Sequence, residues 1–220
     1  MRKNDFSVKK LTTLAMITAI AYVLVCTIRI PLVLFLKYEP KDVVITIGGF
    51  LLGPMAALTS SLVVSLIEMF TISDTGIIGA IMNFLSTTSY VCTASIIYKR
   101  HHNMKGAIVG LAVGALFMTA VMLMWNYLIT PLYMTGTSRS DVAGMLLPVF
   151  LPFNLLKAGL NRSITLLLYK PLVTGLRKAG LVPSSSSTGT TSSKKPGVFL
   201  FAGLLLVTCI LLVLVMRGII

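Results

Sequence analysis

The feature that most constrains this chain is a series of long apolar segments separated by short polar loops. The segments cover residues 8–30, 43–70, 76–98, 106–130, 147–169 and 198–216. A hydrocarbon layer about 30 Å thick needs roughly 20 apolar residues of helix. Because 56% of the residues are hydrophobic and only 11% are charged, no polar block remains to fold as a soluble domain. We therefore predict an all-α integral membrane protein, a six-helix transmembrane bundle with a seventh, C-terminal helix.

The domain organisation follows from where the apolar pattern is interrupted. Residues 183–196 are rich in serine, threonine and glycine, a composition typical of a flexible linker. We expect a six-helix membrane core over residues 1–182, this linker, and a hydrophobic helix over residues 197–220. The role of the linker and of the last helix stays open.

The second apolar stretch, residues 43–70, is broken by Gly53 and Pro54. Such residues end or bend a helix, so the stretch forms either one kinked helix or a pair of shorter ones. Basic side chains decide between these readings, because they collect on the cytoplasmic side of a membrane. A pair puts twelve cations in the cytoplasm, namely Arg2, Lys3, Lys9, Lys10, Lys99, Arg100, Lys105, Lys170, Arg177, Lys178, Lys194 and Lys195, against four outside, namely Arg29, Lys37, Lys41 and Arg139.

We therefore favour the helix pair, with the N-terminus in the cytoplasm. The C-terminus lies outside if the last apolar run spans the membrane. Two half-depth helices that enter from the outside as a re-entrant hairpin would give the same charge distribution, and this alternative stays open.

Polar side chains occur inside the apolar segments, where lipid should exclude them. Asn126 lies near the outer end of the fifth segment, and Asn154 and Lys157 lie within the sixth. Asn83 and the polar loop 37–42 fall on the same side of the predicted topology. Intramembrane polar groups are costly and usually line an internal cavity, so we predict a ligand pocket in the outer half of the bundle.

Asn154, Lys157 and Asn161 share one helix face because they stand at positions i, i+3 and i+7. Asparagine also hydrogen-bonds neighbouring helices, and we favour this structural role, or snorkelling, for Asn161 and Arg162. For Asn154 and Lys157 we favour ligand contact, since a lone intramembrane cation otherwise lacks a purpose. Glu68 is the one acidic residue well inside an apolar run, and we expect backbone or water to satisfy it.

Small residues at intervals of four allow helices to approach closely. Ala15 and Ala19 form one such pair, and a second row consists of Gly106, Gly110 and Gly114. The default interpretation of both is packing inside the bundle. The cysteines follow no pairing motif, so we expect no metal site and no disulfide framework, but buried, reduced thiols at Cys26, Cys92 and Cys209. We expect no cofactor either.

The sequence lacks the motifs of several enzyme classes. It contains no GxxxxGK[ST] phosphate loop, no HExxH and no GxSxG. The net charge of +13 falls in loops, where membrane topology explains it better than binding to nucleic acid. We expect a transporter subunit rather than an enzyme, with a self-sufficient secondary transporter and a lipid-modifying enzyme as alternatives.

Several short motifs follow one another along the core in a definite order. They are AMITA at 15–19, YEPKDV at 38–43, GGFLLGP at 48–54, DTG at 74–76, MNF at 82–84, WNY at 125–127 and LPFNLLK at 151–157. Over about residues 8–178 the chain resembles the riboflavin-specific S components of energy-coupling factor (ECF) vitamin transporters.

This resemblance implies a subunit of the bacterial cell membrane that captures riboflavin from outside and docks onto a transmembrane coupling protein with two cytoplasmic ATPases. It implies that the alanine motif of Ala15 and Ala19 forms the docking surface. It also implies a flavin site made of Asn126, Asn154 and Lys157, covered by a lid that contains Tyr38, Glu39, Lys41, Asp42 and Val43.

The chemistry of these side chains suits an uncharged flavin. A carboxamide has both a donor and an acceptor, so asparagines can match the alternating carbonyl and N–H groups of a pyrimidine edge. Lys157 adds donors, and aromatic side chains such as Tyr38 and Trp125 could cover the ring. The outer face shows no cluster of arginine and lysine of the kind that a phosphorylated flavin requires. Another vitamin, such as thiamine or biotin, stays an alternative.

Overall fold

A computed structural model describes residues 3–73, 75–134, 136–178 and 196–216 of the chain. The helices are α1 (Lys3–Thr27), α2 (Lys41–Leu52), α3 (Pro54–Thr71), α4 (Gly76–Arg100), α5 (Met104–Tyr133), α6 (Arg139–Met145), α7 (Leu151–Lys178) and α8 (Pro196–Met216). Two short strands, β1 (Ile30–Val33) and β2 (Leu36–Tyr38), follow α1, and a π-helical turn (Leu146–Phe150) precedes α7. Residues 183–195 of the predicted linker lie outside the described residues. The same holds for Asp74 and for the cations Arg2, Lys194 and Lys195.

The prediction of a helical membrane protein is confirmed. Within the described residues, six helices are long and apolar enough to cross a membrane, and the last of them covers Gly197–Val215. The membrane faces of these helices consist largely of exposed Leu, Ile, Val and Phe side chains. A surface of this kind is stable against lipid and would aggregate in water.

The predicted break between two helices is also confirmed. Gly53 has φ 99°, a left-handed conformation that favours glycine, and Pro54 occupies the first turn of α3. α2 has only 12 residues, about 18 Å of helix. It nevertheless reaches the far end of the bundle, where the Phe50 ring stacks on Tyr98 with centroids 4.4 Å apart. A helix this short can do so because it starts inside the protein, with Lys41 and Asp42 already buried.

β1 and β2 form an antiparallel hairpin that the sequence analysis did not predict. Ile30 pairs with Tyr38 and Val33 with Leu36, so the turn contains only Leu34 and Phe35. Leu34 has φ 52°, a conformation uncommon for a side chain of this size. We call this side of the molecule the hairpin end. α1, α3, α5 and α8 run toward the hairpin end, and α4 and α7 run away from it.

The glycine row on α5 packs against α4, as predicted. A β-carbon added at Gly110 would lie 2.7 Å from the carbonyl oxygen of Ala94, and one added at Gly114 would lie 2.7 Å from that of Tyr90. Gly106 differs, because its added β-carbon would meet the carbonyl oxygen of His101 in the turn before α5. Two of the three glycines therefore set the spacing between α4 and α5.

Two packing predictions are wrong. Ala15 and Ala19 are exposed on the outside of the bundle, so they are not used for packing among the described helices. Cys26 is exposed as well, whereas Cys92 is half-buried and Cys209 is buried. Apolar side chains need not be buried in a membrane protein, because lipid solvates them as well as other helices do.

α8 packs along α7 in the antiparallel direction. The Lys170 ammonium lies 5.4 Å from the ring centre of Phe199, and the Arg162 guanidinium lies 5.9 Å from that of Phe201. Nearer the hairpin end, Cys209 approaches Gly159. Arg162 therefore faces α8, in agreement with its predicted structural role.

Candidate functional site

A cavity of about 290 Å³ opens at the hairpin end of the bundle. The hairpin and the chain on either side of it, the loop between α3 and α4, and the helices α4, α5 and α7 contribute to its walls. Four of the predicted site residues line it: Glu39, Asn83, Asn154 and Lys157. The apolar part of the wall includes Phe35, Leu36, Met82, Met122 and Phe153.

Asn154 presents an unused acceptor at the cavity wall. The residue is 1% exposed, and its Nδ2 donates a hydrogen bond of 2.8 Å to the carbonyl oxygen of Phe150 one turn earlier. That carbonyl can only accept, so the amide nitrogen must face it and the orientation of the carboxamide is fixed. Oδ1 of Asn154 has no hydrogen-bond donor among the residues that the structure describes. A buried oxygen of this kind indicates a ligand, because burying it unpaired is costly.

Lys157 lies one turn further along α7. Its Nζ donates to the hydroxyl oxygen of Ser86 at 2.9 Å and lies 3.4 Å from Oδ2 of Asp42. The prediction of a lone intramembrane cation is therefore wrong, because Asp42 on α2 supplies the counter-charge. The ammonium remains at the cavity wall, where it can donate to a ligand.

Asp42 is at the centre of a hydrogen-bonded cluster beneath the cavity. Oδ1 accepts from the hydroxyl of Thr87 at 2.7 Å, and Oδ2 accepts from Nδ2 of Asn161 at 3.0 Å. Asn161 in turn accepts a 3.1 Å hydrogen bond from the hydroxyl of Tyr38. Burial, together with the nearby charge of Asp42, raises the pKa of Tyr38, so this hydroxyl stays a donor. The cluster fixes the hairpin and α2 onto α7.

A second cluster forms another wall and is built from alternating charges. Oε1 of Glu39 accepts from Nε of Arg29 at 2.9 Å, and Oε2 accepts from Nζ of Lys41 at 2.8 Å. Nζ of Lys41 also contacts both oxygens of Glu68, at 2.5 and 2.7 Å. Burial opposes the ionisation of Glu39, but Lys41, Lys157 and Arg29 together hold the pKa of that carboxyl below its ordinary value.

The expectation for Glu68 is wrong as well. It is 2% exposed, and its partners are the ammonium of Lys41 and the carboxamide of Asn83, whose Nδ2 donates to Oε2 at 2.9 Å. Asn83 itself lines the cavity. α3 thus contributes to the site through a carboxylate that lies behind the wall.

Other predicted site residues do not line the cavity. Both ends of the Asn126 carboxamide are used within α5, since Nδ2 donates to the carbonyl oxygen of Met122 at 2.8 Å and Oδ1 accepts from Thr130 at 3.1 Å. Trp125 packs against the core, and in the described part of the chain its buried indole N–H has no acceptor. Tyr38, Lys41, Asp42 and Val43 are buried beneath or behind the wall. Ligand contact by these residues stays a prediction.

The sequence analysis did not assign four polar residues of the cavity wall to the site: Arg29, Ser73, Thr75 and Ser86. Ser86 stands three residues after Asn83, a helical spacing that could have identified it. The expected absence of clustered cations also needs correction, because Arg29, Lys37 and Lys157 all line the cavity. Arg29 and Lys157 are paired with Glu39 and Asp42, so most of this positive charge is neutralised.

Comparison with known proteins agrees with this architecture. The model of a family described as "ECF transporter, substrate-specific component" matches residues 9–169. "Riboflavin transporter RibU" of Staphylococcus aureus (strain TCH60) is 32% identical over 179 residues, which cover 77% of this chain and 93% of the relative. "Riboflavin transporter FmnP" of Bacillus subtilis (strain 168) is 29% identical over 161 residues, which cover 68% of this chain and 84% of the relative.

A solved structure is similar in fold as well as in sequence. It is described as "Structure and mechanism of the S component of a bacterial ECF transporter", with a TM-score of 0.65 and 33% identity. The similarity covers 99% of that chain but only 78% of this one. The family match ends at residue 169, so α8 lies beyond it.

Replacing the buried Lys41 should destabilise the fold. Lys41→Met removes the cation shared by Glu39 and Glu68 and leaves the buried carboxylates with too little counter-charge. The free energy of unfolding should fall by about 3 to 5 kcal/mol. We expect a clearly lower unfolding temperature in detergent. Lys99→Met, at an exposed position in the last turn of α4, is the control and should leave that temperature unchanged. Equal unfolding temperatures for both variants would show that the cluster does not stabilise the protein.

Proposed function

This chain belongs to the substrate-specific components of ECF transporters, and from that premise we propose that it is the riboflavin-binding subunit of an ATP-driven vitamin importer. It captures the vitamin in the cavity at the hairpin end. Separate partner proteins, a transmembrane coupling protein and two cytoplasmic ATPases, supply the energy.

The observation that carries this proposal is the unpaired Oδ1 of Asn154, a residue that lines the cavity together with Lys157. The pyrimidine edge of riboflavin has an N–H group between two carbonyls. A fixed acceptor beside a donor, one helical turn apart, matches two neighbouring groups of that edge. The apolar wall that contains Phe35, Met122 and Phe153 suits the flat dimethylbenzene end of the ring.

The balance of charge supports an uncharged ligand. Lys37 is a further cation at the wall, and three other cations lie next to carboxylates: Arg29 next to Glu39, Lys41 next to Glu39 and Glu68, and Lys157 next to Asp42. A cationic vitamin such as thiamine would enter without a free carboxylate, because Glu39, Glu68 and Asp42 are all paired, and its desolvation would be costly. Riboflavin, which is neutral, avoids this cost.

The orientation in the membrane follows from the loop charges. The basic loop between α4 and α5 and the N-terminus lie at the end opposite the hairpin, so the cytoplasm is on that side and the cavity opens to the exterior. α8 runs toward the hairpin end, which puts the C-terminal end of α8 outside.

The surface for the coupling protein is the alanine motif on α1. Ala15 and Ala19 are exposed on one face of α1, and their small side chains would let a partner helix approach closely. α8 packs on α7 and leaves this face of α1 free within the described residues.

The first test is ligand binding by the purified chain in detergent, measured by calorimetric titration with riboflavin, thiamine and biotin. We expect tight binding of riboflavin only. Asn154→Ala and Lys157→Ala should each reduce the binding free energy of riboflavin by about 1 to 3 kcal/mol, because groups of the ligand lose their hydrogen-bond partners. Asn103→Ala, at the opposite end of the bundle, is the control and should bind normally. Unchanged affinity in both site variants would refute the site, and a chain that does not bind riboflavin would refute the function.

The second test separates binding from docking. Ala15→Leu and Ala19→Leu should abolish uptake in cells that supply the coupling protein and ATPases, since the larger side chains prevent close helix contact. Riboflavin affinity should stay unchanged. Ala143→Leu, at an exposed alanine on α6, provides a matched substitution that should retain uptake. Loss of riboflavin affinity in the α1 variants would assign the motif to the packing of the bundle instead.

A further inference from the structure

We propose that Glu68 is a positioning residue that determines specificity, because it orients the carboxamide of Asn83 with its carbonyl oxygen toward the ligand. This inference rests on the proposed function and concerns how the same cavity recognises its substrate. Glu68 itself lies behind the wall and does not line the cavity.

The orientation of Asn83 follows from the chemistry of its partner. Nδ2 of Asn83 lies 2.9 Å from Oε2 of Glu68. An ionised carboxylate only accepts hydrogen bonds, so the amide nitrogen must face Glu68. Oδ1 is then the group that Asn83, which lines the cavity, can offer to a ligand.

Lys41 keeps Glu68 in the state that this role requires. Its Nζ contacts both carboxylate oxygens of Glu68 and also binds Oε2 of Glu39. Lys41 is 1% exposed, so water does not compete for these contacts. A carboxylate held by both of its oxygens cannot rotate away from Asn83 without breaking a buried ion pair.

Two walls of the cavity therefore present acceptors of the same kind. Asn83 on α4 is oriented by a carboxylate, and Asn154 on α7 is oriented by the carbonyl oxygen of Phe150. The donors at the wall include the ammonium of Lys157. This arrangement selects a neutral ring that carries donors at two separate places, as riboflavin does with its imide N–H and its ribityl hydroxyls.

The test exchanges the two functional groups. Glu68→Gln introduces an amide that can pair with either end of Asn83, so the carboxamide is no longer fixed. We expect riboflavin affinity to fall about tenfold, as measured by quenching of riboflavin fluorescence. Asn83→Asp alone puts two carboxylates side by side and should weaken binding at least as much. The double variant Glu68→Gln/Asn83→Asp pairs an amide donor with a carboxylate, keeps the net charge, and should recover most of the affinity.

A recovery of riboflavin affinity in the double variant distinguishes the two roles of Glu68. If Glu68 only stabilised the fold, the second substitution would not restore the affinity. Unfolding temperatures of the three variants show whether each is folded, and the affinities are compared among folded proteins. Unchanged affinity in Glu68→Gln overturns the proposal, and so does a double variant no better than the single ones. Failure of the parent chain to bind riboflavin would instead refute the proposed function.

An independent observation concerns α8, which lies beyond the family match. We infer that α8 braces the hairpin and thereby slows the escape of the ligand. Cys209 of α8 is buried with Leu32, Leu36 and Tyr38 of the hairpin, and further contacts come from Leu205, Leu206 and Val213.

The brace affects the cavity because the hairpin forms part of its wall. Phe35, Leu36 and Lys37 of the hairpin line the cavity. Two strands of four and three residues are marginal on their own and need packing on a larger element. α8 supplies part of that packing, and the π-helical turn and α7 supply a further part through Phe150 and Phe153.

Deletion of residues 184–220 tests this role. The truncated chain should release riboflavin about tenfold faster in a stopped-flow experiment, while its association rate stays the same. Gly159→Leu keeps α8 but should push it away, because an added β-carbon lies 2.8 Å from Sγ of Cys209, and release should again be faster. Gly175→Leu is the matched control on the same helix, since open space surrounds it. Release at the parent rate from both altered chains would overturn the inference.

Discussion

The structure depends on a network of paired charges inside an otherwise apolar bundle. An unpaired charge in a hydrocarbon environment is so costly that buried charged side chains are paired with charges of opposite sign. In this protein the two members of a pair come from different elements. Glu39 follows the hairpin, Lys41 begins α2 and Glu68 belongs to α3. Lys157 on α7 pairs with Asp42 on α2. These few pairs fix the hairpin and three helices relative to one another and so define the walls of the cavity.

The elements that the sequence predicted well are those whose cause is local. Apolar runs of membrane length gave the long helices, and the break at Gly53 and Pro54 separated α2 from α3 because those residues restrict the backbone of their own turn. Asn154 and Lys157 were placed at the cavity because helical spacing puts them on one face. The contrast with Asn126 is instructive. The hydroxyl of Thr130, four residues after Asn126, donates a hydrogen bond to Oδ1 of Asn126. The residue four after Asn154 is Ala158, which has no hydroxyl that could donate to Oδ1 of Asn154.

The features that could not be predicted depend on contacts distant in sequence. Lys41 and Glu68 are 27 residues apart, and nothing near either residue identifies the other. The hairpin has a turn of Leu34 and Phe35, without the glycine or asparagine that usually indicates such a turn. Tertiary packing selects it, since its apolar face is covered by α7 and α8. The same holds for the wrong predictions about Glu68 and Lys157, which the sequence presents as isolated charges.

A network of this kind also determines how the site discriminates. Under the proposed function, a neutral ligand replaces none of the ion pairs Arg29–Glu39, Lys41–Glu68 and Lys157–Asp42, and selectivity comes from the geometry of hydrogen-bonding groups. Amides held by partners that only accept hydrogen bonds, as in Asn83 and Asn154, keep their acceptors in place before the ligand arrives, which reduces the entropy lost on binding. Under the proposed function, release requires the walls to move apart, and one of these walls is the hairpin, whose two short strands depend on packing against other elements. Under that proposal, a motion of the hairpin that the partner proteins drive would open the cavity.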